Sequence, residues 1–154
     1  MATSSSATGN SAVAAAVRKV LADTYMLYFK THSYHWNVRG PQFTSLHELF
    51  MQQYTELWTS IDALAERIRA VGELAPSASS ELAKESSVTE ETGAPPAEQM
   101  IKNLIEAHRV TARSVQAALE AGEKAADAVT VDLMTRRLEV HEQTAWMLGA
   151  LLER

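Results

Sequence analysis

Cysteine is absent from this sequence of 154 residues. Disulfide frameworks and thiolate metal sites are therefore excluded, and any bound metal has to be held by nitrogen or oxygen ligands. No apolar run reaches the roughly 18 residues that a membrane-spanning helix needs, and the first residues lack the basic and apolar stretches of a signal peptide. We therefore expect a cytoplasmic protein with no membrane partner.

Positive charge is also scarce. The chain has 14 basic and 19 acidic residues, a net charge of −5, and no lysine or arginine precedes Arg18. Nucleic-acid binding depends on clustered positive charge. We therefore expect no DNA binding at physiological salt, and a clear gel shift of plasmid DNA near neutral pH would contradict this. Association with the nucleoid stays the alternative location.

Only six glycines and four prolines interrupt the chain. Between them the apolar positions recur at steps of three and four residues, which predicts amphipathic helices and leaves no credible strand. Residues 1 to 10 are mostly serine, threonine, alanine and glycine, so we predict a disordered tail there and a single domain over residues 11 to 154. Three predicted helices run from about Val13 to Asn37, from Phe43 to Val71 and from Ala97 to Glu120. A fourth helix is predicted after an acidic link around Glu123 to Asp127.

The connections between these helices differ in length. The first and the last are short, whereas about twenty residues rich in serine, glutamate and proline lie between Pro76 and Pro96. Two antiparallel hairpins joined by one long crossover form the ferritin-like variant of the four-helix bundle. We predict this all-α fold, with a short helix at Ser79 to Lys84 within the crossover. Thr44 or Ser45 is the expected N-cap of the second helix, and Gly122 is expected to end the third.

The second helix carries two stripes, although a helix of a monomeric bundle needs only one. One stripe is apolar and is expected to face the chain's own core, at Leu46, Phe50, Gln53, Leu57, Leu64 and Ile68. The other is mixed and is expected to be buried by another subunit. It contains His47, Met51, Tyr54, Trp58, Asp62 and Ala65, with Glu66 beside it.

Two histidines and two carboxylates in this region could hold a metal ion. A short hairpin brings His35 near His47, whereas Asp62 lies fifteen positions further on, roughly 22 Å away along a helix axis. One chain cannot unite both ends of the helix, but a second copy related by a two-fold axis can. The mixed nitrogen and oxygen ligands of such a site suit Fe(II), Zn(II) or Mn(II) better than calcium or magnesium.

The residues alone leave simpler interpretations open. Asp62 and Glu66 could form a solvated face that Arg67 and Arg69 neutralise. A histidine on an apolar helix face is more often a hydrogen-bonded core residue than a ligand, and tryptophans usually serve packing. These interpretations apply to His32, His108, His141, Trp36 and Trp58.

Three segments, HWNVRGPQF, LHELF and DALAERI, resemble the signature of the Dps family of mini-ferritins. The resemblance includes the intervals from His35 to His47 and from His47 to Asp62. It implies a homo-oligomer, a dodecameric cage built from two-fold dimers, which oxidises Fe(II) with hydrogen peroxide or oxygen and stores Fe(III). His35 and His47 would be ligands from one subunit and Asp62 and Glu66 from its partner.

The same resemblance assigns further roles. Trp36 would lie beside the ferroxidase site, and iron would enter through acidic three-fold pores near the last helix connection. Glu123, Asp127 and Asp132 are the pore candidates, although each could be an ordinary turn or N-cap acid. Zinc or manganese could occupy the same site as iron.

One position departs from the Dps pattern. The family has an aspartate or glutamate four residues after the second histidine, where this chain has Met51. A thioether is a poor ligand for Fe(II), so a second iron position should bind more weakly. The alternatives to a ferroxidase are therefore a cage with impaired oxidation that acts as a metal-binding or structural protein, and a DNA-compacting protein.

Overall fold

The computed structural model describes residues 3–153, with side chains described from Thr8 onward. This part of the chain contains five helices and no strand, which confirms the predicted all-α fold. Four long helices form the ferritin-like bundle, and α3 is the short helix predicted within the crossover. The helices are α1 (Thr3–Asn37), α2 (Phe43–Ala70), α3 (Ser79–Glu85), α4 (Ala97–Lys124) and α5 (Ala128–Ala150).

Two apolar clusters form the core of the bundle. In the first, Leu27, Phe50 and Leu104 contribute side chains from α1, α2 and α4. In the second, Val17 and Leu64 represent α1 and α2, and α4 and α5 also contribute. The stripe predicted to face the core of the same chain is buried, apart from the half-buried Gln53. The helical periodicity therefore identified the core-facing side of α2 correctly.

Buried polar residues separate the two clusters. On every long helix they lie in the sequence between the segments that supply the two clusters, so they form a polar layer in the middle of the bundle. Polar groups at such depth need partners, because an unpaired one costs free energy. The members of this layer are Asp23, Thr24, Ser60, His108, Thr111, Arg137 and His141.

The crossover is fixed to α1 by hydrogen bonds. Asp23 is fully buried, and its carboxylate accepts hydrogen bonds from Ser86 Oγ at 2.9 Å, from the Ser87 backbone N–H at 2.6 Å and from Ser114 Oγ on α4 at 2.5 Å. Lys19 Nζ pairs with the same carboxylate at 2.8 Å. The long connection is therefore attached to α1 and is not a free loop, and the same carboxylate joins α1 to α4.

The beginning of α1 differs from the prediction. The helix starts at Thr3, so residues 3–10 are helical where we expected a disordered tail, and the first two residues lie outside the described part. Each residue that extends an existing helix adds one backbone hydrogen bond, which lowers the cost of order. A methyl group on Gly9 would lie 3.6 Å from Cβ of Ala125, so this segment also lies against the end of α4.

Two expected helix ends were wrong. The helix α2 starts at Phe43 with Gln42 at the N-cap and no side-chain cap, and Ser45 Oγ instead donates to the Gln42 carbonyl at 3.1 Å. Gly122 does not end α4, which continues to Lys124. A Cβ on Gly122 would lie 3.1 Å from Cγ2 of Val131, so this glycine allows the close approach of α5.

Candidate metal centre

His35 and His47 lie next to each other at the α1–α2 hairpin, as predicted. Their rings are stacked with centroids 3.7 Å apart and planes at 19°. His35 Nδ1 lies 2.7 Å from the backbone carbonyl oxygen of His47, and His47 Nδ1 lies 2.8 Å from the carbonyl oxygen of His35. Each histidine therefore orients the other through its main chain.

This reciprocal pairing determines the tautomer of both rings. A carbonyl oxygen only accepts hydrogen bonds, so each Nδ1 must carry the proton. In the neutral ring, Nε2 then has a free lone pair. Among the described residues, no hydrogen bond engages either Nε2. Metal-binding histidines usually donate their other ring N–H to a carbonyl or carboxylate in this way. The pair therefore fits two nitrogen ligands of a transition metal.

The candidate acids lie at the other end of α2. Asp62 and Glu66 are both exposed, and neither has a hydrogen bond or an ion pair within the described part of the chain. The expected neutralisers are occupied elsewhere. Arg67 Nη2 lies 2.8 Å from both carboxylate oxygens of Asp127, and Arg69 Nη1 donates to the Glu73 carbonyl. The interpretation in which these two arginines neutralise the pair therefore does not hold within one subunit.

The surface between the two ends is apolar and accessible in the single chain. Met51 is 43% exposed and Trp58 is 59% exposed, although both belong to the stripe that we expected another subunit to cover. Within the described residues, no three histidine, aspartate or glutamate side chains converge on one point. Joining the histidines to Asp62 and Glu66 across a two-fold axis stays a prediction.

Trp36 lies at the histidine end and is 56% exposed. Its ring contacts His32 at a centroid distance of 4.2 Å, and His32 in turn stacks on Tyr54 at 3.9 Å. The Tyr28 hydroxyl lies 3.1 Å from His32 Nδ1. Burial, followed by the charge of His35, lowers the pKa of His32. Sequence reasoning missed this group, although Tyr28, His32 and Trp36 follow each other at helical steps of four.

The three pore candidates line one surface depression at the α4–α5 connection. Glu123 is exposed and Asp132 pairs with Arg136 at 3.0 Å. Asp127 is the N-cap of α5, where it accepts from the Thr130 N–H at 3.0 Å. Burial opposes its ionisation, but the hydrogen bonds of Thr130 and Arg67 outweigh burial and lower the pKa of Asp127. The contacts of Asp127 therefore agree with the alternative interpretation, in which this residue is an N-cap acid.

A second histidine pair lies in the polar layer of the bundle. Nδ1 of His108 on α4 and Nδ1 of His141 on α5 are 3.0 Å apart, so one nitrogen donates and the other accepts. Both side chains are buried, and neither Nε2 has a partner among the described residues. Burial, with a smaller contribution from Arg137, lowers the pKa of His108 to about 3. As expected for these two histidines, the pair belongs to the core.

Comparisons with known proteins agree with this architecture. A ferritin-like domain family model matches residues 14–154. The chain is 35% identical to DNA protection during starvation protein 2 of Bacillus anthracis, over 93% of this chain and 98% of the relative. It is 38% identical to a low temperature-induced protein of Nostoc, over 86% of this chain and 75% of the relative.

A solved structure agrees with the fold in detail. The Dps protein of Thermosynechococcus elongatus superposes with a TM-score of 0.93 at 29% identity, covering 98% of this chain and 96% of that one. None of the helices in the described part of the chain is long and apolar enough to span a membrane. The family match, the identities and the shared bundle together establish that this chain is a member of the Dps family of ferritin-like proteins.

Proposed function

We propose that this protein is a Dps-type ferroxidase and iron-storage cage. Two subunits pair through the apolar face of α2, and each pair contains two metal centres. In each centre His35 and His47 of one subunit meet Asp62 and Glu66 of the other. Six such pairs assemble into a dodecamer, a shell of roughly 200 kDa given a chain mass of 16.9 kDa.

The reciprocal hydrogen bonds of His35 and His47 are the observation that carries this proposal. They place a proton on Nδ1 of both rings, so that Nε2 is the nitrogen left to bind a metal. Asp62 and Glu66 complement them, because two carboxylates four residues apart on a helix repel each other unless a cation lies between them. Two nitrogen and two oxygen ligands suit Fe(II), and they would also accept zinc or manganese.

The substrates of this reaction are Fe(II) and hydrogen peroxide, with oxygen as the alternative oxidant. Two Fe(II) ions give two electrons, and with two protons one peroxide becomes two water molecules. The carboxylates favour the ferric product because they add negative charge to the centre. The product then mineralises inside the shell, and Glu123, Asp127 and Asp132 are the candidates for the entry pores. Consuming iron and peroxide together limits hydroxyl-radical formation and protects against oxidative stress in the cytoplasm.

Met51 favours one alternative, a cage with impaired oxidation that acts as a metal-binding or structural protein. The thioether lies four residues after His47, where the family pattern has a carboxylate, and it supplies no negative charge to a second iron position. Stopped-flow absorbance after mixing with Fe(II) and peroxide distinguishes the two functions. A rise in ferric absorbance no faster than that of a His47→Ala control would support the impaired cage.

Subunit complementation tests whether the centre is shared. One variant, His35→Ala with His47→Ala, lacks the nitrogen ligands, and the other, Asp62→Asn with Glu66→Gln, lacks the charged oxygens. The two variants are co-expressed with different affinity tags, and cages that carry both tags are purified. Random pairing of equal amounts restores about a quarter of the centres, because only one centre of each mixed dimer receives both halves.

The expected result is therefore about a quarter of the wild-type ferroxidase rate in mixed cages, with each variant alone near background. Mixed cages that are no more active than the separate variants would overturn the shared centre. Sedimentation velocity of every sample is the control for assembly. A species no larger than a dimer in the wild type would contradict the cage itself.

A further inference from the structure

Five aromatic rings form a continuous row on the face of α1 and α2 between the histidine end and the acid end. We call this set the aromatic row. Its ring centroids are separated by 4.2 Å, 3.9 Å, 6.3 Å and 5.3 Å, so every ring contacts the next. In order, its members are Trp36, His32, Tyr54, Tyr28 and Trp58.

The two ends of the row are open to the surroundings. Trp36 is 56% exposed next to the ligand His35, and Trp58 is 59% exposed one helical turn before Asp62. The apolar core of the bundle lies elsewhere, in the two clusters of buried residues. Tryptophan and tyrosine are the side chains most easily oxidised by one electron after cysteine, which this chain lacks. The row therefore offers four oxidisable rings along the candidate site, with the imidazole of His32 between Trp36 and Tyr54.

Tyr28 has the partner that its oxidation requires. A phenol that loses an electron becomes strongly acidic, so its oxidation proceeds readily only when a base accepts the proton. The Tyr28 hydroxyl lies 3.1 Å from Nδ1 of His32, and the phenol donates in this hydrogen bond when Nδ1 is unprotonated. Among the described residues, Tyr25 has no comparable hydrogen bond, although its ring lies only 6.2 Å from that of Tyr28.

We propose that the aromatic row is an electron relay in which Tyr28 and His32 act as a proton-coupled redox pair. The physiological oxidant rests on the proposed ferroxidase function. At one centre, Fe(II) supplies the first electron to hydrogen peroxide, and Tyr28 supplies the second through Trp36. The Tyr28 proton moves to His32, which leaves a neutral tyrosyl radical, and two protons convert the peroxide to two water molecules.

The acid end of the row completes the cycle. An Fe(II) held by Asp62 and Glu66 reduces the tyrosyl radical through Trp58, and the proton returns from His32 to Tyr28. The balance is two Fe(II), one peroxide and two protons giving two Fe(III) and two water molecules. Because the two ends of α2 belong to different centres of the proposed dimer, the relay joins these centres. Each centre then needs to bind only one iron, which agrees with the weak second position expected from Met51.

Photo-oxidation without iron tests the relay independently of the ferroxidase. The metal-free wild-type protein is mixed with a ruthenium polypyridyl complex and persulfate, and a flash generates a one-electron oxidant in solution. Transient absorption then follows the narrow near-ultraviolet band of the neutral tyrosyl radical. We expect this band in the wild type, its loss in Tyr28→Phe, and an unchanged yield in the matched control Tyr25→Phe.

His32→Phe separates proton transfer from packing, because it keeps a ring against Tyr54 but removes the base. The band should be lost here too, with assembly unchanged by sedimentation. A tyrosyl yield in Tyr28→Phe or in His32→Phe equal to that of the wild type would overturn the proposal. Freeze-quench electron paramagnetic resonance after adding Fe(II) and peroxide adds the second readout, with a Tyr28-dependent radical expected in the wild type. If the wild type does not oxidise Fe(II), the proposed ferroxidase function is wrong. The photochemical experiment then still tests the relay, because it uses no iron.

Discussion

The two histidine pairs of this chain differ in what holds their Nδ1 atoms. His35 and His47 each donate to the main-chain carbonyl of the other, and both Nε2 lone pairs stay free. His108 and His141 instead share one hydrogen bond between their own Nδ1 atoms, and their Nε2 atoms are buried without partners. The comparison shows that the hydrogen-bond acceptor, and not the presence of two histidines, determines which ring nitrogens of a pair are available to a ligand.

The buried pair also cannot offer both Nε2 atoms to one metal ion in its present arrangement. One of its Nδ1 atoms must be unprotonated to accept, so that ring carries its proton on Nε2 when it is neutral. Burial lowers the pKa of both rings, with smaller contributions from His108 on His141 and from Arg137 on both, which keeps the pair neutral near pH 7. The buried pair therefore belongs to the interior structure, and our proposal keeps the ligand role for His35 and His47.

Exchanging one histidine of each pair for alanine should separate the two roles most clearly. We expect His47→Ala to lower the Fe(II) oxidation rate by more than about tenfold, because it removes a proposed ligand. Its free energy of unfolding should fall by only about 1 kcal/mol, because one hydrogen bond is lost. Stopped-flow absorbance and denaturant unfolding of the same samples measure both effects.

His108→Ala is the matched variant, and it should lower the stability much more than the Fe(II) oxidation rate. It leaves a cavity and an unpartnered Nδ1 on His141, which should cost roughly 2 to 4 kcal/mol of unfolding free energy. The Fe(II) oxidation rate per assembled cage should stay within about twofold of the wild type, because the centre lies elsewhere. A large loss of oxidation rate in His108→Ala cages of normal size would contradict the separate roles of the two histidine pairs.

The pH dependence of stability sharpens the same comparison. The unfolded histidines titrate near pH 6.5, whereas the folded His108 has a pKa of about 3 and His141 also titrates well below 6.5. Below pH 6.5 the unfolded chain therefore binds more protons than the folded one, and stability falls as the pH falls. At pH 5 we expect a loss of about 2 kcal/mol from His108, and His141 adds to this loss in the same direction.

Urea unfolding at pH values from 7 down to 5 measures this effect, in a window above the titration of most carboxylates. His108→Leu with His141→Leu is the control, because it removes the titrating pair while keeping apolar volume. We expect a much flatter stability profile in this double variant. A wild-type profile that is flat between pH 7 and pH 5 would show that the pair is protonated at little cost.

The smallest expected effect concerns the pair formed by His35 and His47. Met51→Glu places a carboxylate one helical turn from His47 and restores the pattern of the family. We expect the oxidation rate to rise by about two- to tenfold, as a second iron position becomes occupied. Stopped-flow absorbance at several ratios of iron to protein gives the rate and the number of ions oxidised in the first phase. Met51→Leu is the matched control, and an equal increase in that variant would exclude the charge as the cause.

Much of the fold followed from sequence periodicity. The spacing of Leu46, Phe50, Leu57 and Leu64 identified the buried side of α2, and the serine-rich segment before Pro96 identified the crossover. Helix ends were less predictable. Gly122 has the residue type of a helix end, but its function depends on how closely Val131 approaches, which only the packing of two helices reveals.

The candidate site was also only partly predictable from the sequence. The hairpin placed His35 beside His47, but no periodicity reveals that each ring is held by the other's carbonyl. The tie between Arg67 and Asp127 joins residues 60 positions apart, so sequence could not show that this arginine is unavailable to Asp62. His108 and His141 each interrupt an apolar seam, yet their pairing depends on the register of α4 against α5.

The buried carboxylate of Asp23 has a consequence for how the bundle comes apart. It receives hydrogen bonds from α1, from the crossover and from α4, residues up to 91 positions distant in the chain. Separating the crossover and the second hairpin from α1 would break these long-range hydrogen bonds together, at about 1 kcal/mol or more for each bond to a charged group. The two halves of the chain are thereby coupled into one cooperative folding unit. In hydrogen exchange, the amides of α1 and α4 near this carboxylate should open together rather than helix by helix.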